Sequence, residues 1–263
     1  SIRRSTPSRA QEIKVDSMQF FKPLNAVKAM TFDLDDTLYD NEPIIRRADA
    51  ALQAHIAKYH KQAAMLTPRD WLVLKRAAIR KDKRLASDMG RLRKVVLAGA
   101  LSGTPASQLS TAPPLDGQLN ADVEACFNCF YDARSDFTLD ENVHRVLHAL
   151  SQHIPLVGIT NGNVDTRKIG IDNYFKTVLH ASTQRPMKPS PAMFDEASQL
   201  LNIEPKYILH VGDNLIKDVK GAVNAGYQSA WFACNRSMNL ANEPVAVLPH
   251  LALNALDELL AFI

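Results

Sequence analysis

Two short apolar runs, residues 27–33 and 154–160, bracket a long stretch that holds no convincing strand. From residue 41 to about 136 the periodicity is helical. Ile44, Ile45, Ala48, Leu52, Ile56 and Tyr59 fall on one helical face. Thr67 and Pro68 read as an N-cap and first helical residue. Residues 84–102 and 117–135 read as further helices, separated by the breaker-rich SGTPASQLSTAPPLDG. After Thr138 a strand–helix alternation takes over: TLDENVHRVLHALSQ as a helix, IPLVGIT as a strand, then a strand near 177–180, a helix over 191–202, a strand over 207–211, a helix over 215–225 and a strand over 228–232. Such alternation specifies a parallel sheet covered by helices. The simplest organisation is an α/β core formed by residues 18–40 and 138–263, with an all-helical insertion over 41–137. Residues 1–17, polar and without periodicity, read as a disordered extension or a cloning remnant.

Composition narrows the classes of function. A net charge of +3 is too small to argue for nucleic acid, and no apolar stretch reaches the roughly 18–20 residues of a membrane span. Three cysteines are too few for a disulfide framework and suit a reducing compartment, so a cytoplasmic protein is expected.

The first apolar run ends in carboxylates: Asp33, Asp35, Asp36 and Asp40 lie within MTFDLDDTLYD. Two carboxylates about 4 Å apart repel by roughly 4 kcal/mol at an effective dielectric near 20. Ligands of an open parallel sheet bind beyond the carboxyl ends of its strands, and three predicted strands end in polar residues there. One carries Asp33-Leu34-Asp35-Asp36-Thr37, one Thr160-Asn161-Gly162, and one Gly212-Asp213-Asn214 with Asp218 following; Lys188 lies in the proline-pinned loop RPMKPSP. Carboxylates from two strand ends suit a shared Mg²⁺ beside a substrate phosphate. Asp33 and Asp213 are the candidate ligands, with the backbone carbonyl of Asp35. A carboxylate in that position is also a nucleophile toward phosphorus. Asp35, with its pKa expected above the reference of about 3.9, is the candidate proton donor and later general base. Thr160, Asn161 and backbone N–H groups are placed to hold phosphoryl oxygens, and Lys188 to neutralise them.

These motifs, in this order, resemble the haloacid dehalogenase superfamily. The resemblance runs from about residue 24 to the chain's end and implies a Rossmann-like core with a helical cap inserted after the first strand. It also implies Mg²⁺ and an aspartyl-phosphate at Asp33. In that family dehalogenases and phosphonatases lack the second Asp and transporting ATPases carry Lys there, so Asp35 with Thr37 is similar to the phosphatases. ITNGN (159–163), KPSPAMF (188–194), ILHVGDNLIKDVKGAVNAG (208–226) and VLPHL (247–251) resemble a bacterial group of phosphatases. That group acts on 5-amino-6-(5-phospho-D-ribitylamino)uracil in riboflavin synthesis and on FMN. Sugar phosphates or nucleoside monophosphates are the alternative substrates. A non-catalytic module that binds phosphorylated ligands or nucleic acid is the alternative class. The expected partner is a small phosphorylated metabolite, with no nucleic acid and no membrane, for a monomer or weak homodimer.

Plainer readings stand beside these. Asp36 fits a backbone turn, and Asn161-Gly162 is compatible with a hairpin turn, although NVDTRKIG after it reads as helix. Asp218 and Asn214 are expected to support Lys188 and the metal's surroundings rather than bind the ion. Cys126 and Cys129 lack the second pair that a structural zinc site needs, and His144 and His148 flank Arg145 where a zinc protease has Glu. The basic stretch 75–94 lacks interleaved aromatics; by default it is a solvated face, and Arg91 is the candidate for contact with an anionic substrate.

Overall fold

The computed structural model describes residues 18–263. Its sheet has seven strands: β1 (Gln19–Phe20), β2 (Ala29–Phe32), β3 (Leu156–Thr160), β4 (Thr177–His180), β5 (Ile208–Gly212), β6 (Gln228–Trp231) and β7 (Leu251–Ala252). Their order is β1-β7-β6-β5-β2-β3-β4. All pairings are parallel except that of β1 with β7. The central strands β2, β3 and β5 are buried on both faces, which explains why they read as near-continuous apolar runs. Alternation divides them between two layers. Met30, Phe32, Leu156, Leu209 and Val211 pack with Val146, Leu147 and Leu150 of α5 (Glu141–Ser151) and with Leu256 and Leu259 of the C-terminal 3-10 turns. Ala29, Val157, Ile159 and Ile208 pack with Met193, Phe194, Ala197 and Leu201 of α6 (Ala192–Leu201).

Between β2 and α5 run four long helices: α1 (Asn41–Tyr59), α2 (Pro68–Lys81), α3 (Met89–Ser102) and α4 (Gly117–Arg134). They enclose a separate apolar cluster that includes Leu52, Ile56, Leu74, Leu92, Val96, Val123, Cys126 and Phe130. Each starts at a side chain that accepts a backbone N–H of its first turn: Asp40, Thr67 in a capping box with Asp70, Asp88 and Asp116. Among the described residues no helix is long and apolar enough to cross a membrane.

Local departures from expectation have local causes. The helix expected over 84–102 is split, because Asp82 caps a 3-10 turn (Lys83–Ser87) and Asp88 then starts α3. Residues after Asn161 form turns instead of a helix. Asp165 Oδ1 accepts the Arg167 and Lys168 N–H groups, and Gly170 closes the segment at φ 77°. The helix expected over 215–225 opens as a π turn (Leu215–Lys220) before α7 (Gly221–Asn224). The two-residue edge strands β1 and β7 are too short to leave a periodic signal.

Asp88 also joins the helical insertion to the sheet layer: Oδ1 caps α3 and Oδ2 accepts the Thr183 N–H at 3.4 Å. Replacing Asp88 with Ala is expected to lower stability by about 0.5–2 kcal/mol, read as a lower urea midpoint with unchanged m-value. An unchanged midpoint would discount the cap.

Candidate active site

Strand order places the three motif-bearing strands side by side, β5-β2-β3, so their carboxyl ends meet in one crevice. Asp33 continues the ladder beyond β2, its N–H donating to Val211 O at 2.9 Å. Its carboxylate is 7% exposed and takes two donors: Lys188 Nζ on Oδ1 at 2.9 Å and Thr37 Oγ1 on Oδ2 at 2.9 Å. Lys188, 1% exposed, also donates to Asp218 Oδ1 at 2.6 Å. His210 Nε2 shares that oxygen at 2.9 Å, and its Nδ1 lies 2.8 Å from Thr31 Oγ1. The Asn214 N–H donates to Asp218 Oδ2 at 3.1 Å, while the Asn214 side chain accepts the Ile216 and Lys217 N–H groups and opens the π turn. That turn brings Asp218 back under the end of β5. A Cβ on Gly212 would stand 2.3 Å from Asp218 Cγ, so only glycine allows the approach.

Burial works against the Lys188 charge, but Asp218 and Asp33 outweigh it and hold the ammonium above its usual range. Burial likewise opposes ionisation of Asp218, yet Lys188 and His210 keep its carboxyl well below the usual carboxylate range. Asp33 shows the reverse balance: burial, and then the Asp218 charge, push it well up. Asp213 is raised by burial and by Asp218, against the pull of Arg236, whose Nη1 donates to Asp213 Oδ2 at 2.9 Å. Burial lowers His210.

Ligand atoms of Asp33, Asp213 and Asp218 all lie within 4.8 Å of one another. Asp218 is held by Lys188, His210 and the Asn214 N–H, whereas Asp33 takes one donor on each oxygen and Asp213 takes Arg236 on Oδ2, so Asp33 and Asp213 keep more lone pairs open to an ion. The donor set is all oxygen and excess negative, so its chemistry fits a hard divalent cation such as Mg²⁺.

Asp35 lies on the other side of the crevice. Its Oδ1 accepts Tyr39 Oη at 2.6 Å and Arg134 Nη2 at 2.6 Å. The expected crowding of Asp35 by other carboxylates is thus replaced by contact with a cation, because the last residue of α4 reaches it from 99 positions away. Asp36 takes the left-handed conformation at φ 65°, and its Oδ1 accepts the Asn41 N–H, so it turns the chain.

Thr160 is fully buried at the end of β3, its Oγ1 accepting the Gly162 N–H at 3.0 Å. The two parallel neighbours of β3 exclude a hairpin at Asn161-Gly162. The Asn161 amide donates one hydrogen to Lys188 O at 3.0 Å and accepts the Lys188 N–H at 2.8 Å, so it secures the lysine's backbone; the amide carries a second donor. Arg91 is exposed and takes no part in the hydrogen-bond network around Asp33. It lines a recess of about 430 Å³ with Lys94, Thr111 and Phe127, beside Gly90, where a Cβ would be 3.6 Å from Asn163 Nδ2. Cys126 faces His55 and His60, not Cys129; ligand atoms of these three lie within 4.8 Å, one donor short of a closed tetrahedral site.

The model of haloacid dehalogenase-like hydrolases matches residues 27–226. The chain belongs to that family. It is 32% identical to the 5-amino-6-(5-phospho-D-ribitylamino)uracil phosphatase YigB of Escherichia coli, over 94% of this chain and all of that protein. It is 28% identical to the human N-acylneuraminate-9-phosphatase, over 91% of this chain and 95% of that one. A solved structure of a 2-haloacid dehalogenase from Pseudomonas syringae pv. Tomato DC3000 superposes with a TM-score of 0.79 and 28% identity, covering 90% of this chain and 97% of the other. The curated relatives are phosphatases, and this family member is a phosphoric monoester hydrolase.

Tyr39 and His210 lie inside quoted stretches but carried no assigned role there, and Arg134 and Arg236 entered no sequence motif. Nothing marks Arg134 among the helix's other charges, whereas His210 was findable as the one polar side chain inside the apolar run of β5.

Breaking a buried pair by removing one partner costs about 3–5 kcal/mol, so Lys188→Met is expected to destabilise by that order at pH 7–8. The penalty should shrink toward pH 5. With the cation gone, the folded variant binds more protons on its carboxylates than the unfolded chain does, and acid stabilises such a state. Urea midpoints of wild type and variant across this window test it; a penalty that grows on acidification contradicts the assignment.

Proposed function

We propose that the protein is a Mg²⁺-dependent phosphatase that works in two steps through Asp33, with 5-amino-6-(5-phospho-D-ribitylamino)uracil or FMN as substrate. The observation that carries the chemistry is a pair of carboxylates in unlike surroundings. Asp33 is buried against Lys188, while Asp35, two residues on and 23% exposed, faces Tyr39 and Arg134. Asp33, at the strand end beside Lys188 and Asp213, is the nucleophile in this reading, and Asp35, across the crevice, is the acid–base group.

An Asp33 oxygen forms a bond to phosphorus as the ester P–O bond breaks, and the departing alkoxide takes the Asp35 proton. Water then attacks phosphorus and gives a proton to Asp35, and the bond to Asp33 breaks, releasing inorganic phosphate and restoring the carboxylate. Lys188 offsets charge on the phosphoryl oxygens from its seat between Asp33 and Asp218. Thr160 Oγ1 and the backbone N–H groups after β3 offer donors beside it. Mg²⁺ bound by Asp33, Asp213 and the Asp35 carbonyl supplies positive charge against the phosphoryl group. A halide leaves without a proton, so the presence of Asp35 supports ester hydrolysis over dehalogenation.

Substrate identity rests on the likeness to the ribitylaminouracil phosphatase over 94% of the chain and on the recess beside Gly90. There the exposed Arg91 suits a polar or anionic chain, while Lys94 lies over the Phe127 ring and pairs with Glu124. The sialic acid phosphate phosphatases keep a sugar phosphate as the second reading. We read residues 41–137 as a cap that shields the intermediate from bulk water and the protein as cytoplasmic.

Phosphate release should be measured with FMN, the ribitylaminouracil phosphate, sugar phosphates and nucleoside monophosphates. Preference for the two ribityl phosphates is expected, with activity removed by EDTA and restored by Mg²⁺. Asp33→Asn should fall to the blank while remaining folded, since Lys188 keeps Asp218 as its partner. Equal turnover of all esters overturns the substrate, EDTA-resistant turnover overturns the metal, and an active Asp33→Asn overturns the two-step route.

A further inference from the structure

We propose that Arg134 is a binding residue for the phosphoryl group: its Nη1 donates to a phosphoryl oxygen while its Nη2 holds Asp35. The proposal rests on the phosphatase reading above and adds a ligand contact from the helical insertion. Arg134 is 1% exposed, the largest of the fully buried side chains among the described residues. An arginine keeps its charge in any protein environment, so each buried N–H needs an acceptor. Nη2 has one, Asp35 Oδ1 at 2.6 Å; Nη1 is buried with none. A buried donor on a charged group without a partner is a rare arrangement in a folded protein, and here it stands at the reaction crevice.

The surroundings say which acceptor fits. A Cβ on Gly162 would stand 2.5 Å from Asp35 Oδ2, 3.4 Å from Thr160 Oγ1 and 3.5 Å from Arg134 Nη2. These three polar groups therefore crowd together beside Gly162, just beyond the end of β3. Nη1 is bonded to the same carbon as Nη2 and so lies next to that cluster. Two of the three groups already belong to the phosphoryl-handling set, and a guanidinium presents paired donors in the geometry that a phosphate's oxygens accept. Lys188 uses two of its three ammonium hydrogens on Asp33 and Asp218. Arg134 adds a second cation, whose Nη1 has no acceptor of its own.

The test is calorimetric titration of inorganic phosphate, with Mg²⁺ present, into wild type, Arg134→Lys and Arg134→Met. A hydrogen bond to a charged group is worth enough to predict a roughly 10- to 100-fold weaker Kd in both variants. Arg134→Lys should show the same rise in KM for the best ester, because a lysine cannot serve Asp35 and phosphate together. Unchanged Kd in both variants, with only kcat or the thermal midpoint lowered, overturns the contact and leaves Arg134 a support for Asp35. Should the variants fail to fold, side-chain ¹⁵N resonances of arginine in wild type decide: the Arg134 Nη signals shift with phosphate if the contact forms and stay fixed if it does not. An enzyme that hydrolyses esters with Arg134-independent phosphate affinity sinks this contact alone. A protein that binds phosphate through Arg134 but hydrolyses nothing sinks the function and keeps the contact.

Discussion

A single ammonium group sets the conditions for the crevice. Lys188 Nζ, buried between Asp33 and Asp218, permits carboxylates from two strands to coexist away from water. Much of the nearby architecture serves that one atom. Asn161 clamps the lysine's backbone from the neighbouring loop, Asn214 and the π turn deliver Asp218, and His210, neutral through burial, supplies the second contact to the same oxygen. The lysine is held by side chains and backbone from three strand ends, so it is a fixed charge rather than a mobile one. Fixed charges are what stabilise a developing phosphoryl transition state without reorganisation.

The electrostatics divide the crevice in two. On the Lys188 side negative charge exceeds positive, and burial together with that excess raises Asp33 and Asp213. On the Arg134 side a carboxylate and a guanidinium balance within one contact. The excess on the first side suits a cation.

Much of this was legible in the sequence, for identifiable reasons. Strands buried on both faces advertise themselves as apolar runs, and the residues at their ends are fixed in space once the strands are parallel neighbours. That is why Asp33, Thr160 and Asp213 could be assigned to one crevice from order alone. Helix starts were legible where a capping side chain marks them, as at Thr67. Contacts set by tertiary packing were not. Asn161 looks like a phosphate-loop residue, but its partner is decided by how the Lys188 loop folds back. Arg134 sits on an amphipathic helix among other charges, and only the insertion's return path gives it Asp35. The turn after Asn161 followed Asp165 and Gly170 instead of the apolar periodicity, a case of local side-chain bonding overriding pattern.

The helical insertion leaves the sheet after Tyr39 and returns at Arg134, and both of these residues touch the same Asp35 oxygen. The two crossing strands of chain therefore lie together, like the knuckles of a door hinge. A second seam holds the insertion away from that line: Asp88 Oδ2 accepts the Thr183 N–H and Ser87 Oγ accepts the Met187 N–H. The chain's entry and exit and this second seam together fix how the helices sit against the strand ends.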